Sequence, residues 1–319
     1  MDFSGLAEQI AQHGLPGLAL GVCTADSVLW SGGFGVTRAG GGRPIGTDTM
    51  FSVQSCSKMY TATAVLHAVR EGLVELEVPI VRYLPEFRVR SAFEEHPERR
   101  ITMRHLLSHT AGFTHEAPVG SNYLVGRESF EAHCRSISET WLRFPVGHRF
   151  EYSNLGIDLA GYIVQRRSGL PFHEYVRRSL FEPLGLRRTS FDSRVIERET
   201  DRAIGHSKGY SRRPVRVPMV AAGGVSTSVA DACRRSGARA QRRRFRVSVG
   251  HVLGSGIGIR RGRTDEFHGS STAVEGRQRQ RGCGRRTAST CSTTGAAGPI
   301  GCVSTSPVST SPPTGRCST

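Results

Sequence analysis

The chain has 319 residues, 37% of them hydrophobic, which suffices for one large domain or two small ones around a sizeable core. No apolar run reaches the ~18 residues of a membrane helix, and Met1-Asp2-Phe3-Ser4-Gly5 has neither a basic head nor an apolar stretch. The sequence as written therefore reads as cytoplasmic, or as secreted or periplasmic if translation starts upstream. The net charge of +16 invites a nucleic-acid reading, but residues 231–319 hold 16 arginines, no lysine and 4 acidic residues, a net +12, leaving only +4 for the first 230.

In chain order, residues 3–13 read as a short amphipathic helix that ends at Gly14-Leu15-Pro16-Gly17. Leu18–Cys23 and Val28–Gly32 follow as two strands, with Thr24-Ala25-Asp26-Ser27 as a hairpin turn. Gly40-Gly41-Gly42-Arg43-Pro44 is a surface loop. From Lys58 to Val69 the apolar positions Met59, Ala62, Ala64, Val65 and Ala68 predict a helix, closed by Gly72. Met103–Leu107 and Phe130–Phe144 are predicted helical. Leu155–Val164 is a strongly apolar helix running on to Ser168-Gly169, and Phe172–Phe181 is one more, closed by Pro183-Leu184-Gly185. Strands first, a helical block next and strands expected at the end describe an α+β protein, an α/β sandwich with a helical insert at about 58–190.

The end of the sequence breaks this pattern. After Ala232 there is one leucine, Leu253, no Trp or Tyr, and only Phe245 and Phe267. From about residue 270 Gly, Ser, Thr, Arg and Pro dominate, a composition too poor in apolar side chains to offset the entropy of ordering. The chain thus divides into a domain over 1–232, an intermediate stretch over 233–270 and a low-complexity tail over 271–319 that is expected to be disordered. A shifted reading frame in a GC-rich gene yields such a composition. The other reading is a natural basic tail that binds nucleic acid through Arg234–Arg246, although no aromatic residues interleave those arginines to stack bases. Of the eight cysteines, Cys23, Cys56 and Cys134 fall in the first 230 residues and read as small core residues or free thiols; no C-x-x-C or zinc-like spacing occurs.

The strongest chemical signal is Ser55-Cys56-Ser57-Lys58. A Ser three residues before a Lys on a helix lies on the same face. A hydroxyl is a poor nucleophile until a base takes its proton, and a desolvated lysine serves as one. The chain has only two lysines, Lys58 and Lys208, among 43 basic residues. Where positive charge alone is needed it uses Arg, which cannot act as a base. The plainer reading of Lys58, a solvated residue at a helix start, does not account for that scarcity. A second element, Glu151-Tyr152-Ser153-Asn154, precedes the apolar helix. Tyr152 can pass a proton and Asn154 can hold an amide, while the plainer reading makes Ser153 or Asn154 a helix cap.

Taken with their surroundings, these residues resemble the serine β-lactamase and penicillin-binding-protein superfamily, nearest to its class C β-lactamase, D,D-peptidase and esterase branch. The resemblance is carried by Pro16-Gly17-Leu18-Ala19-Leu20-Gly21-Val22, Ser31-Gly32-Gly33-Phe34-Gly35, and Met50-Phe51-Ser52 leading into Ser55-x-x-Lys58. It continues through Ile101–Gly112, Phe144-Pro145-Val146-Gly147 leading into Tyr152-Ser153-Asn154, and Phe181-Glu182-Pro183-Leu184-Gly185. It implies an antiparallel sheet flanked by helices plus a mostly helical subdomain. It also implies acyl transfer to water with no metal and no cofactor, on a small-molecule or peptide substrate. Ser55 is the implied nucleophile, Lys58 and Tyr152 the proton shuttle, and Asn154 the residue that holds the substrate side chain. The Ser55 N–H is half of the oxyanion hole, and His109 supports the loop rather than the chemistry. The departure is the family's third motif, Lys-Thr-Gly or His-x-Gly. No lysine follows Lys208, so Lys-Thr-Gly is absent, and His268-Gly269-Ser270 matches His-x-Gly only in part. Esterase or peptidase activity is accordingly favoured over β-lactamase activity. The competing expectations are a truncated or frame-shifted relative without turnover, and nucleic-acid binding through the basic tail.

Overall fold

The computed structural model describes residue 3 and residues 5–24, 27–120, 128–205 and 216–236. His268 and everything beyond residue 236 lie outside the described residues, so the expectations placed there are not addressed by the fold. The N-terminal helix α1, Leu6–Gln12, is shorter at both ends than its apolar pattern predicts: it starts after Gly5 and stops before Gly14, whose φ of +64° suits a residue without a Cβ. Strands β1, Gly17–Cys23, and β2, Val28–Gly35, form the expected antiparallel hairpin, with Gly17 opposite Gly35 and a bulge at Val22/Cys23.

Three two-residue strands make a second antiparallel sheet. These are β3 at Phe51–Ser52, β4 at Thr189–Ser190 and β5 at Ser226–Thr227, with β5 in the middle. Between β3 and β4 lies the helical block that the sequence predicts: α2, Ser57–Arg70; α3, Met103–Leu107; α4, Phe130–Ser136; α5, Asn154–Ser168; and α6, Phe172–Val176. A short π turn, Arg177–Phe181, extends α6 to the predicted end. The chain then adds α7, Ser193–Arg198, and after β4 and α7 come α8, Val220–Gly223, and α9, Val229–Ser236. Among the described residues no helix is long and apolar enough to cross a membrane.

The helix predicted over Phe130–Phe144 is cut short. After α4 and a 3-10 turn at Ile137–Glu139, Thr140 turns extended and the chain pairs with residue 90. The Arg90 N–H donates to the Thr140 carbonyl at 3.1 Å, and the Leu142 N–H donates to the Arg90 carbonyl at 2.8 Å. A long-range backbone pairing thus outweighs a local apolar period.

Helix α5 is the centre of the block. Every residue from Asn154 to Val164 is buried, as in a helix surrounded on all sides rather than one with a wet face. Ser153 caps its start by accepting from the Leu155 N–H, and Gly169 ends it in the left-handed conformation. A Cβ on Gly161 would sit 2.5 Å from the Ala221 Cβ, so only glycine lets α8 come this close. That approach brings the residues after Ala221 to α2. The start of α9 is tied into the small sheet: buried Asp231 accepts from the Arg188 N–H at 2.6 Å and from Thr189 Oγ1 at 2.9 Å.

Candidate active site

Ser55 sits on a 3-10 turn, Gln54–Cys56, between β3 and α2. Gln54 has φ of +50°, a left-handed conformation uncommon for a residue with a Cβ, and it presents the next residue at the exposed corner of the turn. The turn is pinned to the segment before β5. The Val53 N–H donates to the Val225 carbonyl at 3.1 Å, and Ser57 Oγ accepts from the Val225 N–H at 2.9 Å. Burial raises the neighbouring Cys56 thiol above its ordinary value, against the opposing charge of Lys58.

Lys58 lies in the first turn of α2, half-buried, with three partners. Nζ is 3.2 Å from Ser55 Oγ, 2.8 Å from Asn154 Oδ1 and 2.9 Å from the Ala222 carbonyl. Two of these, the Asn154 and Ala222 oxygens, can only accept, so each requires a hydrogen from Nζ. A neutral amine has two hydrogens and one lone pair. As an ammonium Lys58 donates all three contacts; once one proton is lost, the two hydrogens stay with the Asn154 and Ala222 oxygens and the lone pair is left toward Ser55 Oγ.

Tyr152 completes the contact. Its hydroxyl donates to Ser55 Oγ at 2.9 Å, and its ring centroid lies 4.8 Å from Lys58 Nζ, so an ammonium there meets the negative face of the ring. His109 stacks on Tyr152, with centroids 4.8 Å apart and planes at 29°. His109 has φ of +58°, and its Nδ1 accepts from the Ser153 N–H at 3.2 Å. Burial, then the charge of Lys58, holds its imidazole below the usual range, which keeps Nδ1 an acceptor. His109 thus contacts both the Tyr152 ring and the cap of α5.

Asn154 is 2% exposed and both halves of its carboxamide are engaged. Oδ1 accepts from Lys58, and Nδ2 donates to Glu116 Oε1 at 3.1 Å. His115 Nδ1 lies 2.9 Å from the same Glu116 oxygen. The structure therefore brings Ser55, Lys58, Tyr152 and Asn154 into one cluster; the fifth candidate, His268, lies outside the described residues.

Sequence reasoning missed several members. The Ala222 carbonyl is a backbone group and has no side-chain signature. Glu116 sits in a loop with no motif. Asp158 did leave a signal: it is the one carboxylate inside the apolar run Leu155–Val164, and a buried carboxylate demands partners. A cavity of about 680 Å³ lined by His173, Arg177, Arg188 and Asp192 includes none of the Ser55 cluster, and these four side chains pair with one another, with Glu174 and Glu199, or with neighbouring backbone. Among the described residues no group of three or more His, Cys, Asp or Glu side chains is placed to hold a metal ion.

The Beta-lactamase family model matches residues 4–288. Esterase EstB of Burkholderia gladioli is 30% identical over 202 residues, which are 60% of this chain and 51% of the esterase. A beta-lactamase of Yersinia enterocolitica is 28% identical over 215 residues, 67% of this chain and 51% of that protein. The octameric penicillin-binding protein homologue from Pyrococcus abyssi superposes with a TM-score of 0.61 at 26% identity, covering 72% of this chain and 54% of that one. The chain spans about half the length of these curated relatives.

Proposed function

The chain belongs to the Beta-lactamase family, and from that footing we propose that it is a serine hydrolase whose Ser55 attacks an ester, peptide or β-lactam carbonyl. One observation carries the proposal: Ser55 Oγ is held at once by Lys58 Nζ at 3.2 Å and by the Tyr152 hydroxyl at 2.9 Å, with Lys58 aimed by two fixed carbonyl oxygens. Ser55 Oγ forms a bond to the carbonyl carbon as its proton passes to the Lys58 lone pair. The oxyanion accepts from the Ser55 N–H. On collapse, the proton returns by way of Tyr152 to the departing oxygen or nitrogen. Water then attacks the acyl-enzyme by the same route in reverse, and Ser55 regains its proton. Asn154 orients Lys58 through Oδ1, and the second hydrogen of its Nδ2, beside the one given to Glu116, is the donor for a substrate amide. The similarity to an esterase over 60% of the chain supports an ester as the substrate to test first.

The test is intact-mass analysis after exposure to a fluorophosphonate, with Ser55→Ala as control. Turnover of p-nitrophenyl butyrate and of nitrocefin then separates ester from β-lactam hydrolysis. A single adduct on the wild type and none on the control is expected. A folded wild type without an adduct would favour the second reading, an impaired relative, which rests on the loss of aliphatic residues after Ala232.

A further inference from the structure

We propose that Asp158 is a positioning residue for Lys58: its buried carboxylate, steadied by His133, fixes the Ala221–Ala222 peptide so that the next carbonyl meets the lysine amine. The proposal rests on the reading of Lys58 as the base for Ser55.

Asp158 lies in α5 and its side chain is 0% exposed. A carboxylate in that position is strongly disfavoured unless its oxygens are matched. Both are. Oδ2 faces His133 Nε2 at 3.3 Å, and His133, on α4, is also 0% exposed. His133 Nδ1 is 2.7 Å from the Val119 carbonyl; that oxygen only accepts, so Nδ1 carries a hydrogen and the ring is locked in place. The other oxygen, Oδ1, accepts from the Ala222 N–H at 2.9 Å.

This second contact is the informative one. An ion pair that only joined α4 to α5 would have no need of α8. The same peptide unit is also gripped from its other end, because Thr61 Oγ1 of α2 donates to the Ala221 carbonyl at 2.7 Å. With its N–H held by Asp158 and its C=O held by Thr61, the peptide plane is fixed. Only the two dihedrals of Ala222 separate that plane from the carbonyl that accepts from Lys58 Nζ at 2.9 Å. Gly161, without a side chain, lets α8 close to this distance. The remaining ionisable groups around the pair are Glu116, whose charge reaches His133, and Cys134, whose Sγ lies 3.6 Å from the Asp158 backbone carbonyl. Neither competes for the two carboxylate oxygens. The acceptor that orients Lys58 from below is thus set by a carboxylate that never touches the substrate.

The experiment measures fluorophosphonate labelling of the full chain as a saturating rate and an apparent affinity. The variants are Asp158→Ala, Asp158→Asn, Thr61→Val and the double variant Thr61→Val/Asp158→Ala. Backbone amide exchange at Ala222, read by mass spectrometry, runs alongside. Asp158→Ala and Thr61→Val should each slow the saturating rate about tenfold and leave affinity within about twofold, as expected for one misplaced hydrogen bond. The double variant should be no slower than either single one, because both release the same peptide. Asp158→Asn should recover most of the lost rate, since its Oδ1 still accepts from Ala222 and its Nδ2 donates to a neutral His133. Ala222 amide protection should drop in Asp158→Ala and return in Asp158→Asn. Labelling of Asp158→Ala and Thr61→Val at the wild-type rate would overturn the proposal, as would Asp158→Asn falling as far as Asp158→Ala. If Asp158→Ala does not fold, Thr61→Val against Asp158→Asn decides in the same terms. A wild type unlabelled at Ser55 would sink the hydrolase reading, whereas unchanged Ala222 protection in all variants would sink the positioning role alone.

Discussion

Replacing Tyr152 by Phe removes one atom and little else. The ring keeps its stack on His109 and its place beside Lys58, and the lost group is the hydroxyl that donates to Ser55 Oγ at 2.9 Å. Tyr152 is 37% exposed and Ser55 is exposed, so that hydrogen bond adds at most about 1 kcal/mol to stability. For a domain of this size the melting temperature should shift by no more than about 4 °C. The effect on rate is of another order. A positioned proton donor contributes about a hundredfold to ten-thousandfold, which is about 2.7–5.4 kcal/mol of barrier. If Tyr152 delivers the proton to the leaving group, the loss depends on what leaves. A phenolate such as p-nitrophenolate departs with little help, and an alkoxide needs the proton. Turnover of p-nitrophenyl butyrate and of ethyl butyrate by wild type and Tyr152→Phe tests this directly. The expected loss is at least about a hundredfold on the ethyl ester and distinctly smaller on the nitrophenyl ester. An equal loss on both esters, with the melting temperature unchanged, would refute the assignment of Tyr152 as proton donor.

Lys58→Arg keeps the charge and removes the base, so fluorophosphonate labelling of Ser55 should slow by about a thousandfold or more; labelling within tenfold of wild type would rule Lys58 out as the proton acceptor. His133 is a stability probe. Burial opposes its charge, but the hydrogen bond and charge of Asp158 and the Val119 carbonyl outweigh that and raise its imidazole above the usual value. A raised histidine contributes stability that is complete below the unfolded value of about 6.5 and is lost as pH rises through the folded value. Urea unfolding should therefore show wild type losing stability relative to His133→Gln as pH rises above about 6.5; a pH-independent difference would contradict the ion pair. Cys233 is held by burial and by the neighbouring Cys23 thiol at a pKa of about 11. Iodoacetamide at neutral pH should leave it intact in the native protein and modify it in urea, and equal modification in both would show that α9 is not packed as described.

The parts of this protein that could be read from the sequence are those written in side chains close together along the chain. The apolar periods of α2 and α5, the Ser55–Lys58 spacing and the cap before Asn154 are all local. What escaped is long-range or main-chain. Strands β3, β4 and β5 have two residues each, too few to show an alternation, and exist because β5 arrives between the others. Helix α4 ends before its apolar period does because Arg90, some fifty positions earlier, captures the chain at Thr140. The spacing that offers Asn154 as a substrate-holding amide gives no sign of its contacts with Lys58 and Glu116, which come from α2 and a distant loop. The resemblance to a known family supplied the roles that periodicity and spacing leave open.

The grip of the Ala222 carbonyl on Lys58 joins residues 164 positions apart. Translation at roughly 5–20 residues per second separates their synthesis by about 8–33 s. During that interval a nascent chain carries Ser55 and Lys58 with one of the lysine's orienting acceptors not yet made. If Ser55 is the nucleophile proposed above, it is complete in sequence well before it is armed, and an acylating compound finds its target only once the chain has been made past Ala222.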